Sequence, residues 1–290
     1  MFKSLHKKYK LFFILFYPLI LIKRHSRKRI IKIKQDIYEE SLGIIKDGVA
    51  LVDVKDFSGT FQLGYRSEIF KRLFLYKRYE YESTEIVRKY VQPEKDVLDV
   101  GANIGLFSVL FSNLINDENK VLALEPNPTA LKHLYKNIEG NNWINKVVVY
   151  EGVATNKKDS FHMNVIDGLE EYSSLGEIIH PKVAEKVSKR IKVNGNTIDN
   201  LVKDFNLNPG FMKIDAEGAE FEILRGAIDT ITQFKPIILS EMSDRLLKAQ
   251  GASSIRVLKL LEELNYNVLD INSFLPVNNL FEGDIIAFPN

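Results

Sequence analysis

Residues 96–105 read DVLDVGANIG, and this stretch decides the fold. It joins a short apolar run, which is typical of a buried strand, to a turn that contains glycine and then to a helical pattern. The same alternation of strand and helix continues to the end of the chain. Because helices that connect successive strands cover both faces of a parallel sheet, the sequence predicts a doubly wound α/β fold.

Short apolar runs mark the predicted strands of this sheet, which are Val97–Val100, Val121–Leu124, Val147–Tyr150, Phe211–Ile214, Ile237–Leu239, Tyr266–Ile271 and Ile285–Phe288. Helical spacing predicts helices over residues 82–92, 104–115, 128–138, 219–231 and 253–264. Ser83 is the predicted cap of the first of these helices. Because no long helix separates the last two strands, we expect the final strand to be antiparallel.

The order of these elements predicts three regions. The α/β domain covers residues 81–290 and contains an insertion at about residues 153–209, which is longer than an ordinary crossover connection. A strand at Arg190–Val193 and a helix from Thr197 are predicted within the insertion. Residues 36–80 form an N-terminal extension with a short hairpin near Lys46-Asp47-Gly48. Residues 1–35 form a separate basic and apolar segment.

The composition excludes several classes of protein. The 290 residues include no cysteine, which excludes disulfide scaffolds, cysteine-ligated metal sites and cysteine nucleophiles. The net charge is +2, but residues 1–35 contain eleven Lys or Arg and no acidic side chain. The rest of the chain contains 29 basic and 38 acidic side chains. Since an acidic body repels phosphate, we do not expect a nucleic acid substrate.

Residues 1–35 combine positive charge with the apolar run LFFILFYPLILI at residues 11–22. A helix of that length spans about 18 Å, whereas a bilayer core is about 30 Å thick. Basic residues follow the run where a signal peptide would have a cleavage site. These features favour a cytoplasmic protein that contacts the inner face of the membrane peripherally through residues 1–35. Packing of the run on its own domain, an oligomer contact, and export or true spanning are the alternatives.

Gly101 and Gly105 follow the first predicted strand, and glycine lets the backbone take a strained turn and approach a ligand closely. A dinucleotide fingerprint requires glycine at positions 101, 103 and 106, but the chain has Asn103 and Leu106 there. The two glycines therefore favour S-adenosylmethionine, a ligand with an amino acid end and no pyrophosphate. A tight turn without a ligand is the alternative.

Glu125 comes directly after the second predicted strand, 20 residues beyond Gly105. In doubly wound folds, an acidic side chain at this place accepts hydrogen bonds from both ribose hydroxyls. Pro126-Asn127-Pro128 follows, which ends the strand and begins the next helix. We therefore predict that Glu125 binds ribose, with a solvated loop carboxylate as the alternative.

Residues 212–220 read MKIDAEGAE and contain three carboxylates at a predicted turn from strand to helix. Asp215 and Glu217 are predicted to flank the crevice in which a methyl group would be transferred. Glu217 and Glu220 fall in the first helical turn, where the helix dipole also favours negative charge. Methyl transfer to a hydroxyl requires a base or a hydrogen-bond acceptor near the attacking oxygen.

The strings DVGANIG, ALEPNP and MKIDAEGAEFEILRGA, in this order and spacing, resemble the FkbM family of methyltransferases over about residues 80–290. The resemblance implies a class I methyltransferase (Rossmann-like) fold, with a seven-stranded, mostly parallel sheet whose last strand is antiparallel. It also implies an S-adenosylmethionine-dependent O-methyltransferase that acts on hydroxyls of sugars, glycans or polyketide-like molecules.

The resemblance also suggests roles for individual residues. The implied cofactor-binding set is Asp99, Gly101, Asn103 and Gly105 for the methionine part, Glu125 for the ribose, and Asn127 and Val153 nearby. The resemblance adds Glu241 to Asp215 and Glu217 as candidate catalytic carboxylates, and it adds Ser173 and Ser174 to Glu220 as candidate substrate-binding residues.

Several alternatives stay open at this stage. The preferred mechanism is direct in-line attack by a substrate hydroxyl, oriented or deprotonated by one of the implied catalytic carboxylates. Those carboxylates could instead bind a divalent metal, and His162 is a weaker catalytic candidate. A non-catalytic scaffold that keeps this fold and tethers a glycan-assembly complex at the membrane is the main rival function. A dehydrogenase is disfavoured by the failed dinucleotide fingerprint.

Overall fold

Seven strands form the central sheet, and in the strands at its middle every side chain is buried. The structure is a computed structural model that describes residues 26–42, 48–166 and 188–290. In these ranges the strands are β1 Val49–Val54, β2 Gly59–Gly64, β3 Asp96–Val100, β4 Val121–Leu124, β5 Val147–Tyr150, β6 Val153–Ala154, β7 Asp159–Val165, β8 Lys189–Asn196, β9 Pro209–Ile214, β10 Ile237–Ser243, β11 Tyr266–Asp270 and β12 Glu282–Pro289.

Helices connect these strands and cover both faces of the sheet. Within the same ranges they are α1 26–42, α2 Glu68–Tyr76, α3 Tyr81–Tyr90, α4 Leu106–Leu114, α5 Pro128–Gly140, α6 Ile198–Asp204, α7 Glu220–Arg225, α8 Ile228–Phe234, α9 Asp244–Ala249 and α10 Ser254–Glu263. No helix in the described part of the chain is long and apolar enough to cross a membrane.

The strand order of the central sheet is β11-β12-β10-β9-β3-β4-β5. β10, β9, β3, β4 and β5 pair in parallel, and β12 pairs antiparallel with both β10 and β11. This arrangement confirms the predicted class I methyltransferase fold and its antiparallel last strand. It also brings the carboxyl ends of β3, β4, β9 and β10 to one edge, where a doubly wound sheet binds its ligands.

The two large hydrophobic clusters lie one on each face of the central sheet, and a third, smaller cluster lies on β6, β7 and β8. The hairpin of β1 and β2 contributes to the first cluster, where Phe57 and Phe61 are fully buried. The ring of Phe57 meets the ring of Phe107 on α4 edge-on, with centroids 5.0 Å apart. Residues on both sides of position 80 therefore share one core.

The hairpin exists, but its turn lies at residues 55–58, where a short 3₁₀ turn ends at Ser58 in the left-handed region. Lys46 and Asp47, near which the turn was expected, lie outside the described residues. In the predicted insertion, β6 and β7 pair with β8 to form a small sheet, and α6 begins after Thr197.

Two local predictions about helices are wrong. Ser83 does not cap α3, because the helix begins at Tyr81 after Glu80, and Ser83 is buried inside its first turn. The helix predicted over residues 219–231 is two helices, α7 and α8, which are separated at Gly226. A Cβ at Gly226 would lie 2.1 Å from the carbonyl oxygen of Thr155, so the chain passes too close to its neighbour for any larger residue.

Candidate active site

A cavity of about 470 Å³ opens at the carboxyl ends of β3, β4, β9 and β10. Its volume lies within the range of about 300–1,000 Å³ that is usual for small-molecule sites. One end is lined by the loops after β3, β4 and β5. The other end is lined by α2, the start of α3, the strand ends of β9 and β10, and the beginning of β12.

The loop after β3 approaches the loop after β9 closely. The register pairs Val100 with Ile214, which sets Gly101 against Asp215. Gly101 has φ 83°, and a Cβ there would lie 1.8 Å from the Asp215 carbonyl oxygen. Asn103 has φ 49°, a left-handed conformation that asparagine tolerates better than most residues. Gly101 and Asn103 both line the cavity.

Two other residues of the predicted cofactor set lie behind this loop and are not among the described lining residues. Asp99 is fully buried, and one of its carboxylate oxygens accepts a hydrogen bond from Ser108 Oγ at 2.6 Å. Gly105 has φ 86°, and a Cβ there would lie 2.6 Å from Leu134 Cδ1. These two residues shape and support the loop.

Glu125 lines the cavity where β4 ends. Its carboxylate accepts hydrogen bonds from the backbone N–H of Asn103 at 2.8 Å and of Asn127 at 2.7 Å. Burial raises the pKa of Glu125 to about 7, although these two hydrogen bonds oppose the rise. The carboxylate therefore joins the loops after β3 and β4 and faces the space between them.

Of the remaining residues predicted to bind the cofactor, Val153 is among the described lining residues of the cavity and Asn127 is not. Asn127 is buried at the N-cap of α5, where its side-chain oxygen accepts a hydrogen bond from Thr129 N at 2.8 Å. Asn127 therefore holds Glu125 and the start of α5, and it is not among the described lining residues. Val153, on β6, lines the cavity together with its neighbours Gly152 and Ala154.

Lys213, Asp215 and Glu241 form a charged cluster at the other end of the cavity. Lys213 Nζ lies 2.9 Å from Asp215 Oδ2, and the lysine side chain is 6% exposed whereas the aspartate side chain is 27% exposed. The Asp215 carboxylate also hydrogen-bonds with the side chain of Glu241. Since all three residues line the cavity, the exposed surface of Asp215 faces its interior.

The charges in this cluster set one another's pKa values. Burial would raise the pKa of Asp215, but the Lys213 ammonium and the hydrogen bonds from Glu241 and Lys213 outweigh burial and lower it. The Asp215 carboxylate, followed by burial, raises the pKa of Glu241 well above its ordinary value. These opposite directions favour the negative charge on Asp215 and the shared proton on Glu241.

Lys213 itself stays protonated. Burial alone would lower its pKa, but the carboxylates of Asp215, Glu80 and Asp99 raise it. The ammonium also lies 4.5 Å from the centre of the Phe107 ring, which contributes a cation–π contact.

Glu217 lies in the loop after β9 and Glu220 is the first residue of α7, and the two side chains face different ways. Glu217 has φ 50° and lines the cavity. Glu220 is 2% exposed, and its Oε1 accepts hydrogen bonds from Gly218 N at 3.0 Å and Ala216 N at 3.3 Å. Glu220 thus holds the loop in shape, and it is not among the described lining residues.

Sequence reasoning missed several charged residues that the fold brings to the cavity. Glu80 and Asp284 face the cluster from the start of α3 and from β12, and Asp284 is the cross-strand partner of Glu241. Burial raises the pKa of Glu80 to about 7 and that of Asp284 to about 6. Lys213 was missed as well, although the sequence held a signal for it that Glu80 and Asp284 lack. A charged residue rarely occurs inside a buried strand without a partner.

The remaining predicted residues are not part of the described cavity. Ser173 and Ser174 lie outside the described residues. His162 is exposed on β7 and is not among the described lining residues. Among residues 26–42, 48–166 and 188–290, no group of His, Cys, Asp and Glu side chains has the arrangement of a metal site.

A family model described as "Methyltransferase FkbM domain" matches residues 99–268, which is more than half of the chain. No curated protein matches the chain.

Solved structures show weaker similarity. An FkbM methyltransferase from Methylobacillus flagellatus KT is 17% identical, with a TM-score of 0.46, over 77% of this chain and 53% of that one. The chain thus spans about half the length of that protein. An O-methyltransferase from Bacillus cereus in complex with SAH is 12% identical, with a TM-score of 0.39, over 71% and 78% of the two chains. An S-adenosylmethionine-dependent O-methyltransferase from Thermotoga maritima is 12% identical, with a TM-score of 0.42, over 83% and 77%.

Proposed function

Since the chain belongs to the FkbM family of methyltransferases, which use S-adenosylmethionine, we propose that it O-methylates a hydroxyl group of a sugar, a glycan or a polyketide-like acceptor. The observation that carries this proposal is the ionised Asp215 carboxylate, which faces the cavity beside the buried Lys213 ammonium. A hydroxyl is a weak nucleophile until a base or a hydrogen-bond acceptor draws its proton away.

The residues at the β3–β4 end of the cavity fit the cofactor. Glu125 offers carboxylate oxygens to the two ribose hydroxyls at the carboxyl end of the second sheet strand. Gly101 and Asn103 present their backbone to the amino acid end of S-adenosylmethionine, and apolar Val153 borders the space for its adenine ring. When it is bound, S-adenosylmethionine supplies an electrophilic methyl group on a sulfonium.

The chain's own residues then position and deprotonate the acceptor. An acceptor hydroxyl held against Asp215 donates its hydrogen bond to the carboxylate. When the hydroxyl oxygen takes up a methyl group, its proton would pass to the Asp215 carboxylate, which would then be the neutral acid. Lys213 keeps Asp215 ionised before the transfer, and the protonated Glu241 holds the carboxylate in place.

The lining at the acceptor end suits a molecule with several hydroxyl groups. The described lining there includes the carboxylates of Glu80, Glu217 and Asp284 in addition to the charged cluster, together with the guanidinium groups of Arg72 and Arg245. Carboxylates accept hydrogen bonds from hydroxyls and repel phosphate. The excess of carboxylates over guanidinium groups supports a sugar-like acceptor.

The test is transfer of the labelled methyl group from S-adenosylmethionine to a panel of glycosides and amino sugars. We expect methoxy products, identified by the NMR shift of the new methyl group. Asp215→Asn should lower the turnover rate by about 10²- to 10⁴-fold, the usual contribution of a general base. Glu151→Gln is the matched control, because Glu151 is exposed and bonds only to the Tyr135 hydroxyl among described contacts. N-methyl products alone would contradict O-methylation.

We further propose that the chain is cytoplasmic and contacts the inner face of the membrane through residues 1–35. The support is the sequence of this segment, with eleven basic side chains around an apolar run. Cell fractionation tests this proposal: the full chain should sediment with membranes, and a chain without residues 1–35 should not. A truncated chain that still sediments would contradict attachment through this segment.

A further inference from the structure

Helix α1 has an apolar row on each of two sides. On the inner side, Tyr38 is 3% exposed, its hydroxyl donates to the Tyr65 carbonyl at 3.0 Å, and its ring contacts Phe70 and Phe74 of α2. On the outer side, the residues at spacings of three and four, Ile30, Ile33 and Ile37, are 55%, 49% and 53% exposed. An isoleucine row of this kind on a helix that already packs by its other side indicates a second contact.

Charge on α1 is distributed unevenly along its length. The basic side chains Arg27, Lys28, Arg29 and Lys32 are all exposed in the first half of its described part. Lys34 is used internally, because its Nζ donates to the Phe74 and Leu75 carbonyls at 3.0 and 3.3 Å. The acidic side chains are Asp36, Glu39 and Glu40, all in the second half of the helix. An anionic surface would therefore attract the beginning of α1, the end that continues from the basic segment before it.

We propose that the face formed by Ile30, Ile33 and Ile37, called the outer face of α1, docks on an anionic lipid bilayer. The isoleucines enter the interface between headgroups and acyl chains, and the basic residues at the beginning of the helix pair with anionic headgroups. Three half-exposed isoleucines provide far less than the roughly 800 Å² per partner that a stable dimer buries, which favours a lipid surface over a second copy of the chain. This inference rests on the proposed membrane attachment of residues 1–35 and assigns part of it to a defined surface.

The position of α1 links this surface to the cavity. α2 packs on α1 through Phe70 and Phe74, while its other residues Glu68, Ile69 and Arg72 line the cavity. One layer of helix packing is about 8–10 Å thick. The acceptor end of the cavity is therefore one such layer, α2, away from α1.

The absence of cysteine from the sequence allows one labelled position at a time in the full chain. Ile33→Cys is labelled with an environment-sensitive fluorophore. Gln35→Cys is the matched control, since it is exposed in the same turn but about 200° further round the helix. Each protein is mixed with phosphatidylcholine vesicles, with or without phosphatidylglycerol, and with spin-labelled lipids that quench within the bilayer.

With vesicles that contain phosphatidylglycerol, we expect the fluorophore at position 33 to emit at shorter wavelength and to be quenched by the spin-labelled lipids, and the fluorophore at position 35 to show neither effect. High salt should reverse the response, and vesicles without phosphatidylglycerol should not produce it. Vesicle binding without a difference between the two positions would overturn the docking face while leaving attachment through residues 1–35 intact. Absence of vesicle binding would overturn both. A response at position 33 that depends on protein concentration and not on vesicles would show self-association and would also overturn the inference.

A second measurement uses unlabelled variants of the full chain. Replacing Ile30, Ile33 and Ile37 by serine should weaken vesicle binding by about tenfold or more while leaving S-adenosylmethionine binding unchanged. Replacing Val49 and Leu51 by serine is the matched control, because both are exposed apolar residues of the hairpin. Equal vesicle affinity of the wild type and the isoleucine variant would contradict the proposal.

Discussion

Lys213 lies on β9, where the neighbouring side chains Met212 and Ile214 are fully buried. Its ammonium group faces Asp215 directly and acts on Glu80 and Asp99 at longer range. A buried charge without partners costs several kcal/mol, and here the surrounding carboxylates offset that cost. The lysine in turn keeps Asp215 ionised within an acidic cavity.

Replacing Lys213 should therefore change the pH dependence of the reaction. In Lys213→Met, burial and the nearby carboxylates raise the pKa of Asp215. We expect the acidic limb of the kcat/KM profile to move up by about one pH unit or more, with activity partly restored at higher pH. Lys192→Met, at an exposed position on β8, is the control. An unchanged acidic limb in Lys213→Met would show that Asp215 does not depend on this lysine.

The sequence predicted some of these residues and missed others for a physical reason. Glu125 and Asp215 could be predicted because each directly follows a strand whose end must lie at the binding edge of the sheet. Glu80 and Asp284 could not, because their approach depends on how α3 and β12 pack, and those positions are far apart in the sequence. The structure also gives Asn127 and Glu220 supporting positions beside the residues that face the cavity.

At the scale of elements, the loop between β9 and α7 depends on one buried carboxylate. Glu220 Oε1 accepts two backbone N–H groups of this loop, while Oε2 has no hydrogen-bond partner among the described residues. Burial raises the pKa of Glu220 from 4.5 to about 7. Burial of Glu220 therefore costs less free energy when its side chain is protonated than when it is ionised.

This shift has a consequence for stability against pH. Because the folded pKa is above the unfolded one, the contribution of Glu220 is fully present below about pH 4.5 and is lost as the pH rises through about 7. Glu220→Gln should stabilise the cofactor-free chain above pH 7 by about 1–3 kcal/mol and flatten this part of the pH dependence. Denaturant unfolding of the variant and the wild type at a series of pH values measures this difference in the free energy of unfolding.

Glu222→Gln, in the same helix, is the control, since the Glu222 side chain is partly exposed and paired with Arg225. If Glu220→Gln and Glu222→Gln show the same slope of stability against pH as the wild type, the pKa of Glu220 is not raised in the folded chain.

At the scale of the whole molecule, the alternation of strands and helices was enough to predict the central sheet and the direction of its last strand. The break between α7 and α8 was not predictable, because it arises where Gly226 meets the carbonyl of Thr155 in a distant strand region. The packing of the hairpin on α4 was also not predictable, because the spacing of its apolar residues does not indicate which helix they contact. Residues outside the predicted domain thus complete its core.

Phe57 tests the contribution of the hairpin. It is fully buried between the hairpin and α4, and removing a buried aromatic ring costs about 3–5 kcal/mol. Phe57→Ala should lower the free energy of unfolding by that amount. Leu51→Ala, at a position of the same hairpin that is 73% exposed, should change it by less than about 0.5 kcal/mol. Equal effects of the two changes would show that the hairpin is not part of the core.

The most direct test of the central claim is calorimetric titration of the full chain with S-adenosylmethionine and, separately, with NAD. We predict binding of S-adenosylmethionine with micromolar affinity, on the order of −8 kcal/mol, and no binding of NAD. Glu125→Ala should weaken this binding by about tenfold or more, because the ribose hydroxyls lose their acceptor, and Glu151→Ala should not. Absence of S-adenosylmethionine binding, or equal affinity in Glu125→Ala, would contradict the assignment of this end of the cavity to the cofactor.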